Sequence, residues 1–202
     1  MAQIVPTKAN LMNTKKSLEL AKLGYDLMDR KRNILVREMM QLIDQAKAVQ
    51  TQIGEAYAAA FEALKKATLN LGSLARFVAA VPVRDDITID FRSVMGVELP
   101  TVTIEEQTAD VRSFGFLETN ADFDKACRRF QEVKTLTVSL SEIETSICRL
   151  ADAVKKTQKR SNALSNIMIP RFESTVKLIS EALDEKERED FSRLKVVKRQ
   201  KK

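Results

Sequence analysis

A heptad repeat over residues 11–74 constrains the fold of this chain more than any other feature. Positions that alternate by three and four residues are apolar at 16 of 19 places. No proline occurs between Pro6 and Pro82. An apolar seam kept over this length is typical of a coiled coil rather than of an ordinary surface helix. The seam reads Leu11, Thr14, Leu18, Ala21, Tyr25, Met28, Arg32, Leu35, Met39, Leu42, Ala46, Val49, Ile53, Ala56, Ala60, Ala63, Ala67, Asn70 and Leu74.

A second long helix is predicted over residues 120–193, with Asn120 or Asp122 as the N-cap. Its seam turns polar at residues 158–165, and apolar residues then recur at spacings of four, which indicates a stutter. Pro170 lies in this stretch and is expected to kink or interrupt the helix. The predicted apolar seam reads Phe123, Ala126, Phe130, Val133, Thr137, Leu140, Glu144, Ile147, Ala151 and Val154, and then Leu164, Met168, Phe172, Val176, Ile179 and Leu183.

Two long helices joined by one connection pack on each other only if they run antiparallel. If the chain reverses its direction midway between the two helices, Arg32, the charged residue of the first seam, lies opposite the polar stretch of the second helix. The same register places Pro170 near Gly24. Because both irregularities fall at matching heights, we expect a long antiparallel two-helix coiled coil.

The connection between the helices has a different pattern. Ile87, Ile89 and Phe91 alternate with polar residues, as in a β-strand. Gly96 separates them from a second strand that contains Pro100, which is tolerated at a sheet edge. The predicted fold class is therefore all-α, with a small β-hairpin at the turn end. The expected organisation is one elongated domain over 1–202: a helix over 8–80, a connection over 82–116, a helix over 120–193 and a basic tail over 194–202.

The composition excludes most catalytic chemistry. The chain has no histidine and two cysteines, Cys127 and Cys148, so catalytic triads and histidine-containing or four-cysteine zinc sites are ruled out. It has no glycine-rich phosphate loop, and its acidic pairs are adjacent in sequence, so they do not share a helix face. We expect no enzyme activity, cofactor or metal. Neither a transmembrane segment nor a signal peptide is predicted, which favours a cytoplasmic location.

Charge is distributed unevenly along the sequence. Residues 1–38 carry eight basic and four acidic side chains, and residues 155–202 carry fourteen basic and seven acidic ones. Acidic side chains outnumber basic ones between these two segments. In an antiparallel hairpin both basic segments lie at one end. Such a surface favours an acidic protein partner, although a basic tail also fits nucleic acid.

The ends of the chain resemble those of a known family. Residues 6–39, PTKANLMNTKKSLELAKLGYDLMDRKRNILVREM, are similar to the N-terminal helix of the D subunit of V-type (A/V-type) ATPases and ATP synthases. Residues 159–198, KRSNALSNIMIPRFESTVKLISEALDEKEREDFSRLKVVK, are similar to its C-terminal helix. The hairpin with V-M-G-V at 94–97 and Pro100 resembles the middle of the family.

The resemblance implies a central rotor axle of an ion-translocating, for example proton-translocating, ATPase or ATP synthase. The paired termini would insert into the hexamer of catalytic A and non-catalytic B subunits, and the F subunit would bind the coiled coil. The d (or C) subunit would connect the hairpin end to the membrane rotor. The chain would then lie in the cytoplasm, peripheral to the membrane in the V1-type sector.

Two sets of residues are candidates for these contacts. Basic residues near the termini are expected to form part of the bearing with the A/B hexamer, and exposed hairpin residues are expected to dock the other end. The bearing set is Lys8, Arg30, Lys31, Arg32, Lys159, Arg160, Arg193 and Lys195; the hairpin set is Ile89, Phe91, Met95, Gly96, Val97 and Pro100.

Two other functions are compatible with the pattern of residues alone. A stand-alone coiled-coil adaptor would have the same elongated shape but no ATPase partner. A nucleic-acid-binding rod would use the basic tail, and its affinity would fall steeply with salt.

Overall fold

The computed structural model describes residues 5–74, 86–104 and 119–200. Helix α1 spans Lys8–Leu71, strands β1 and β2 span Ile87–Val94 and Val97–Ile104, and helix α2 spans Ala121–Ala163. A π-helical segment, Leu164–Met168, leads into helix α3, Ile169–Gln200. The expected class, long helices with a small two-stranded sheet, is confirmed.

Local signals set the helix ends. The Thr7 hydroxyl accepts the N–H of Asn10 at 3.2 Å, which is an N-cap bond. Gly72 has a φ of 73° and donates its N–H to the Thr68 carbonyl at 2.9 Å, as in a left-handed C-cap. Helix α1 thus ends at Leu71, short of the expected residue 80. Asn120 caps α2: its side-chain oxygen accepts the N–H of Ala121, and its carbonyl accepts that of Phe123.

Parts of the expected ranges lie outside the described residues. These are 75–80 of the first helix, 82–85 and 105–116 of the connection, and 201–202 of the tail. At the other end of the chain, α3 continues to Gln200, so most of the expected tail is helical.

Residue contacts divide the chain into two compact units. The terminal unit consists of Met1–Ile34 together with Val154–Lys202, and the central unit consists of Leu35–Ala153. Along α1, every predicted seam position except Asn70 is buried or half-buried. The heptad pattern therefore identified the packed face of α1 in both units.

In the terminal unit, the start of the chain runs antiparallel to its end. Lys8 Nζ lies 2.8 Å from Glu187 Oε1, and Lys22 Nζ lies 2.8 Å from Glu173 Oε1. Arg32 donates a hydrogen bond to Gln158 Oε1 at 2.9 Å. Arg32 thus faces the polar stretch of the second helix, in the register that the sequence predicted.

The central unit has its own antiparallel helix packing. The Phe61 ring meets the edge of Phe130 with 5.8 Å between centroids. Ala67 and Phe123 are buried together, and Asn70 donates to the Asp122 carboxylate at 2.7 Å. Small alanines on α1 thereby accept a large ring from α2.

The predicted seam of α2 is wrong over part of its length. Thr137, Glu144 and Ala151 are exposed. The positions one residue earlier are buried or half-buried instead: Leu136, Ile143 and Leu150. One extra spacing of three after Val133 shifts the phase and directs these larger apolar side chains to the core.

The π-helical segment explains the predicted stutter. Ile169 donates its N–H to the carbonyl of Leu164, five residues earlier, so the turn holds one extra residue. Leu164 and Ile169 are both half-buried, whereas Met168, predicted in the seam, is exposed. Pro170 has no N–H to donate, so the interruption expected near it takes the form of a wide turn. Gly24 of α1 lies opposite this segment, since a Cβ added to Gly24 would lie 3.8 Å from Leu164 Cδ1.

The β-hairpin belongs to the central unit. Strands β1 and β2 pair antiparallel from Ile87–Ile104 to Val94–Val97. Met95 and Gly96 form the turn with φ of 50° and 75°, and positive values at both positions are those of a type I′ turn. The expected hairpin and its glycine turn are confirmed.

The hairpin lies along the side of α2, whereas the sequence placed it at the turn between the helices. Val102 donates its N–H to Glu142 at 3.1 Å, and Arg149 donates to the Glu98 carbonyl at 2.9 Å. Leu99 and Pro100 are buried. These bonds pair two backbone groups of the outer edge of β2 with side chains of α2, so the hairpin packs against the helix through this edge.

Candidate interaction surfaces

Three exposed cations of the predicted bearing set have partners within the terminal unit. Lys8 binds Glu187, and this hydrogen bond and its charge attraction raise the pKa of Lys8 and lower the pKa of Glu187. Arg193 lies 3.5 Å from Glu189, and the Lys195 ammonium lies 4.6 Å from the centre of the Phe191 ring. All three cations are exposed, so their partners orient them without removing them from the surface.

Arg32 differs because it occupies the seam. Its side chain is 28% exposed and pairs with Asp29 and Gln158. Gln158 also donates to Asn162 at 2.8 Å, and Thr157 and Ser161 beside it are buried. The residues form a polar layer inside the helix packing, where polar groups favour one register over others.

The remaining predicted bearing residues face outward to different degrees. Arg30, Lys159 and Arg160 are exposed, and Lys31 is half-buried. Across residues 5–74, 86–104 and 119–200, none of these four forms an ion pair. Their charges remain available to a partner.

A second apolar stripe on α1 was missed by the sequence reasoning. Leu20, Leu23 and Leu27 are more than half exposed, with Leu20 reaching 72%. Their spacing of three and four matches a second heptad phase, which is the signal that could have found them. On α3 of the same unit, Phe191 and Leu194 are also exposed. Exposed apolar stripes of this kind are typical of interaction surfaces.

The predicted docking residues of the hairpin separate into exposed and covered groups. Ile89 and Phe91 are each 58% exposed, and Met95 and Gly96 are exposed at the turn. Val97 is half-buried, and Pro100 is buried. The exposed strand β1 is therefore the part of the hairpin that a partner can reach.

Helix α2 supplies residues to this site that the sequence did not reveal. The Arg149 guanidinium lies 5.4 Å from the centre of the Phe91 ring while it also holds the Glu98 carbonyl. On the same edge of β2, the Glu142 carboxylate accepts the N–H of Val102. Nothing in the linear pattern distinguishes these two residues from other charged surface positions.

Among the described residues, no group of three cysteine or acidic side chains is placed to hold a metal ion. Of the helices in the described ranges, none combines the length and the apolar character that crossing a membrane requires.

Comparison with known proteins shows similarity over nearly the whole chain. A family model for the ATP synthase D subunit matches residues 10–199. The V-type ATP synthase D subunit of Thermotoga neapolitana is 39% identical over 197 residues, covering 96% of this chain and 97% of that protein. The A-type ATP synthase D subunit of Thermococcus gammatolerans is 38% identical over 202 residues, covering 98% and 94%. That of Methanobrevibacter smithii is 38% identical over 199 residues, covering 96% and 86%. The chain belongs to the family of ATP synthase D subunits.

Proposed function

We propose that this chain is the central-stalk subunit, or rotor axle, of a V-type or A-type ATP synthase. It would transmit torque between the catalytic A/B hexamer and the membrane rotor, and it would carry no catalytic residue itself. The observation that carries the proposal is the family match over residues 10–199, together with relatives of that name aligned along almost their full length.

The proposed partners are those that the family resemblance implies for each part of the chain. The A and B subunits surround the terminal unit, the F subunit binds the helices, and the d (or C) subunit connects the chain to the membrane rotor. The chain then works at the cytoplasmic side of the membrane, as a peripheral subunit of the complex.

The surface of the terminal unit supports a role inside a ring of subunits. The exposed leucines of α1 and the exposed cations Lys159 and Arg160 lie on different helices of that unit. A helix pair of this kind presents a different surface to each interface around it. Since a partner shifts a conformational equilibrium only by binding its states differently, an asymmetric axle can hold three catalytic interfaces in different states.

The interior of the terminal unit supports torque transmission. Turning one helix must carry the other with it, which requires that the two do not slip past each other. The Arg32–Gln158 hydrogen bond and the buried Thr157 and Ser161 form a layer that is satisfied in one register. The Lys8–Glu187 and Lys22–Glu173 ion pairs repeat the same register on the surface.

Reconstitution with an A/B hexamer tests this function. The purified chain is mixed with A and B subunits from the same source, and co-elution and ATP hydrolysis are measured. Stable association with a changed turnover is expected. Rotation of a bead attached to the exposed Cys148 would then measure torque directly.

The D subunit of Thermotoga neapolitana, mixed with its own hexamer, is the positive control. If that control associates and this chain does not bind its hexamer, the axle function is contradicted. A stand-alone coiled-coil adaptor and a nucleic-acid-binding rod would then remain, and salt-sensitive binding to DNA would favour the rod.

A further inference from the structure

The two edges of the hairpin differ in their contacts with the rest of the central unit. The outer edge of β2 is covered, because Glu142 accepts the N–H of Val102 and Arg149 donates to the carbonyl of Glu98. Pro100 lies between them and has no N–H to satisfy. Two backbone groups on this edge, the Val102 N–H and the Glu98 carbonyl, are thus paired with α2, and Pro100 adds no unpaired N–H.

The register shows which groups β1 presents on its own outer edge. Val102 and Glu98 direct their backbone groups away from β1, since side chains of α2 bind them. In an antiparallel ladder, directly opposite residues share this orientation. The residues opposite Val102, Pro100 and Glu98 are Ile89, Phe91 and Ser93. Their N–H and carbonyl groups therefore point outward.

This outer edge is open in the described part of the chain. No hydrogen bond to the backbone of Ile89, Phe91 or Ser93 occurs there apart from the hairpin's own ladder. All three side chains are exposed. An unpaired edge with exposed apolar residues is a template for another strand.

The side chains of β1 determine which side chains an added strand must carry. Ile87, Ile89 and Phe91 lie on one face, and Thr88, Asp90 and Arg92 lie on the other. Arg92 already lies 3.9 Å from Glu38, whereas Asp90 faces Thr101 across the ladder and has no ion pair among the described residues. The edge thus offers one unmatched charge, and it is negative.

We infer that β1 accepts an added β-strand from a partner subunit of the complex, with apolar side chains beside Ile89 and Phe91 and a lysine or arginine beside Asp90. Backbone pairing with Ile89, Phe91 and Ser93 supplies the affinity, and the alternating side chains supply the specificity. A second copy of this chain fits less well, since its own edge carries the same unmatched carboxylate. The inference rests on the proposed function for the identity of the complex.

Hydrogen exchange of single amides tests the added strand. The probe is the complex reconstituted from this chain with the A, B, F and d (or C) subunits, compared with the isolated chain. The amides of Ile89, Phe91 and Ser93 are expected to exchange at least about tenfold more slowly in the complex. The amides of Asp90 and Arg92 point towards β2 and serve as an internal control for an intact hairpin.

A pair of variants separates backbone pairing from side-chain contact. Ile89→Pro removes an outward N–H without breaking the β1–β2 ladder, at the kind of position that Pro100 already occupies in β2. Ile89→Thr removes apolar surface but keeps the N–H. The proline variant is expected to lose the protection of Phe91 and Ser93 and to bind its partner about tenfold more weakly. The threonine variant is expected to retain the protection.

The results distinguish this inference from the axle function. If the chain binds the A/B hexamer but its outward amides stay unprotected in the full complex, the added strand is contradicted and the axle function stands. If the chain binds no subunit, both are overturned. Protection that appears in the isolated chain and grows with its concentration would show self-pairing and would also overturn the partner strand.

Discussion

Met95 occupies a backbone conformation that suits glycine or asparagine better. A type I′ turn requires positive φ at both central residues, and Met95 has a φ of 50° beside Gly96 at 75°. The left-handed region is unfavourable for a residue with a Cβ by about 1 kcal/mol. The sequence revealed the turn through Gly96, but it did not reveal that a methionine would adopt this conformation.

Met95→Asn is therefore expected to stabilise the hairpin by about 1 kcal/mol. That free energy corresponds to roughly fivefold slower exchange of the Asp90 and Arg92 amides, which pair with β2. Gly96→Ala is the matched control and should accelerate the same amides, because its φ of 75° strains any side chain. Unchanged or faster exchange in Met95→Asn would show that the turn is not strained.

The two cysteines are expected to differ in reactivity. Burial raises the pKa of Cys127, and the nearby charge of Asp124 raises it further. Cys148 is exposed. Since the thiolate is the reactive species, a thiol reagent at pH 7.5 should modify Cys148 quickly and Cys127 slowly. Because the pKa of Cys127 is raised above the ordinary value of 9.0, its rate of modification should keep rising as the pH increases beyond 9.0.

Single cysteine variants identify which thiol gives the fast phase and which gives the slow phase of modification. Cys148→Ser should remove the fast phase, and Cys127→Ser should remove the slow one. Equal rates for the two thiols in the folded chain would contradict the described burial of Cys127.

At the scale of the elements, the sequence specified one helix better than the other. On α1 the phase of the packed face does not shift along the helix, so that face could be identified position by position. On α2 two phases compete after Val133, because Leu136 and Thr137 each continue an acceptable spacing. The stronger apolar character of Leu136, Ile143 and Leu150 is the sequence signal that favours the observed phase, and the predicted seam did not use it. The length of the hairpin was also predictable, whereas its attachment through Glu142 and Arg149 depends on tertiary contacts.

The extra residue of the π-helical segment should be removable. Deleting the exposed Ile167 brings Leu164 and Ile169 to a spacing of four and restores the heptad through Leu183. The deletion is combined with Pro170→Ala, since a proline inside a regular helix is destabilising by about 3 kcal/mol. The free energy of unfolding of this combined variant, measured in urea, is expected to lie within about 1 kcal/mol of that of the parent.

Deletion of the exposed Lys177 is the control for that experiment. It rotates Ile179 and Leu183 out of the seam, and each buried aliphatic side chain contributes about 1.5–3 kcal/mol. A loss of at least about 3 kcal/mol is expected. Equal losses in the two deletions would show that the π-segment does not absorb the extra residue.

At the scale of the whole molecule, the proposed binding to the A/B hexamer depends on which charges remain unpaired. Periodicity indicated the helices and the distribution of charge indicated the basic ends, but only the family resemblance indicated the partner. Within the bearing set, the structure separates cations with internal partners, such as Arg32, from exposed cations without an ion pair in the described ranges, such as Lys159. The linear sequence could not make this distinction, because it depends on which acidic side chains fold next to each cation.

Neutralising the unpaired cations should weaken the bearing. The triple variant Arg30→Gln, Lys159→Gln, Arg160→Gln is expected to bind the A/B hexamer about tenfold more weakly and with a smaller dependence on salt. Binding is measured by titration at several salt concentrations. Lys65→Gln, Lys66→Gln, Lys125→Gln changes three exposed cations of the central unit and should leave hexamer binding unchanged. Equal effects of the two triple variants would mean that net charge alone matters.

The wide turn at Leu164–Met168 also bears on how such genes diverge. One codon gained or lost in a coding sequence turns every later side chain of a helix by about 100° and would unseat the rest of its packed face. A turn that already holds one surplus residue can take up or release a codon while Phe172, Val176 and Ile179 keep their places. Single-codon insertions and deletions among relatives are therefore expected to concentrate between residues 164 and 169, and an alignment of the family's genes would show whether they do.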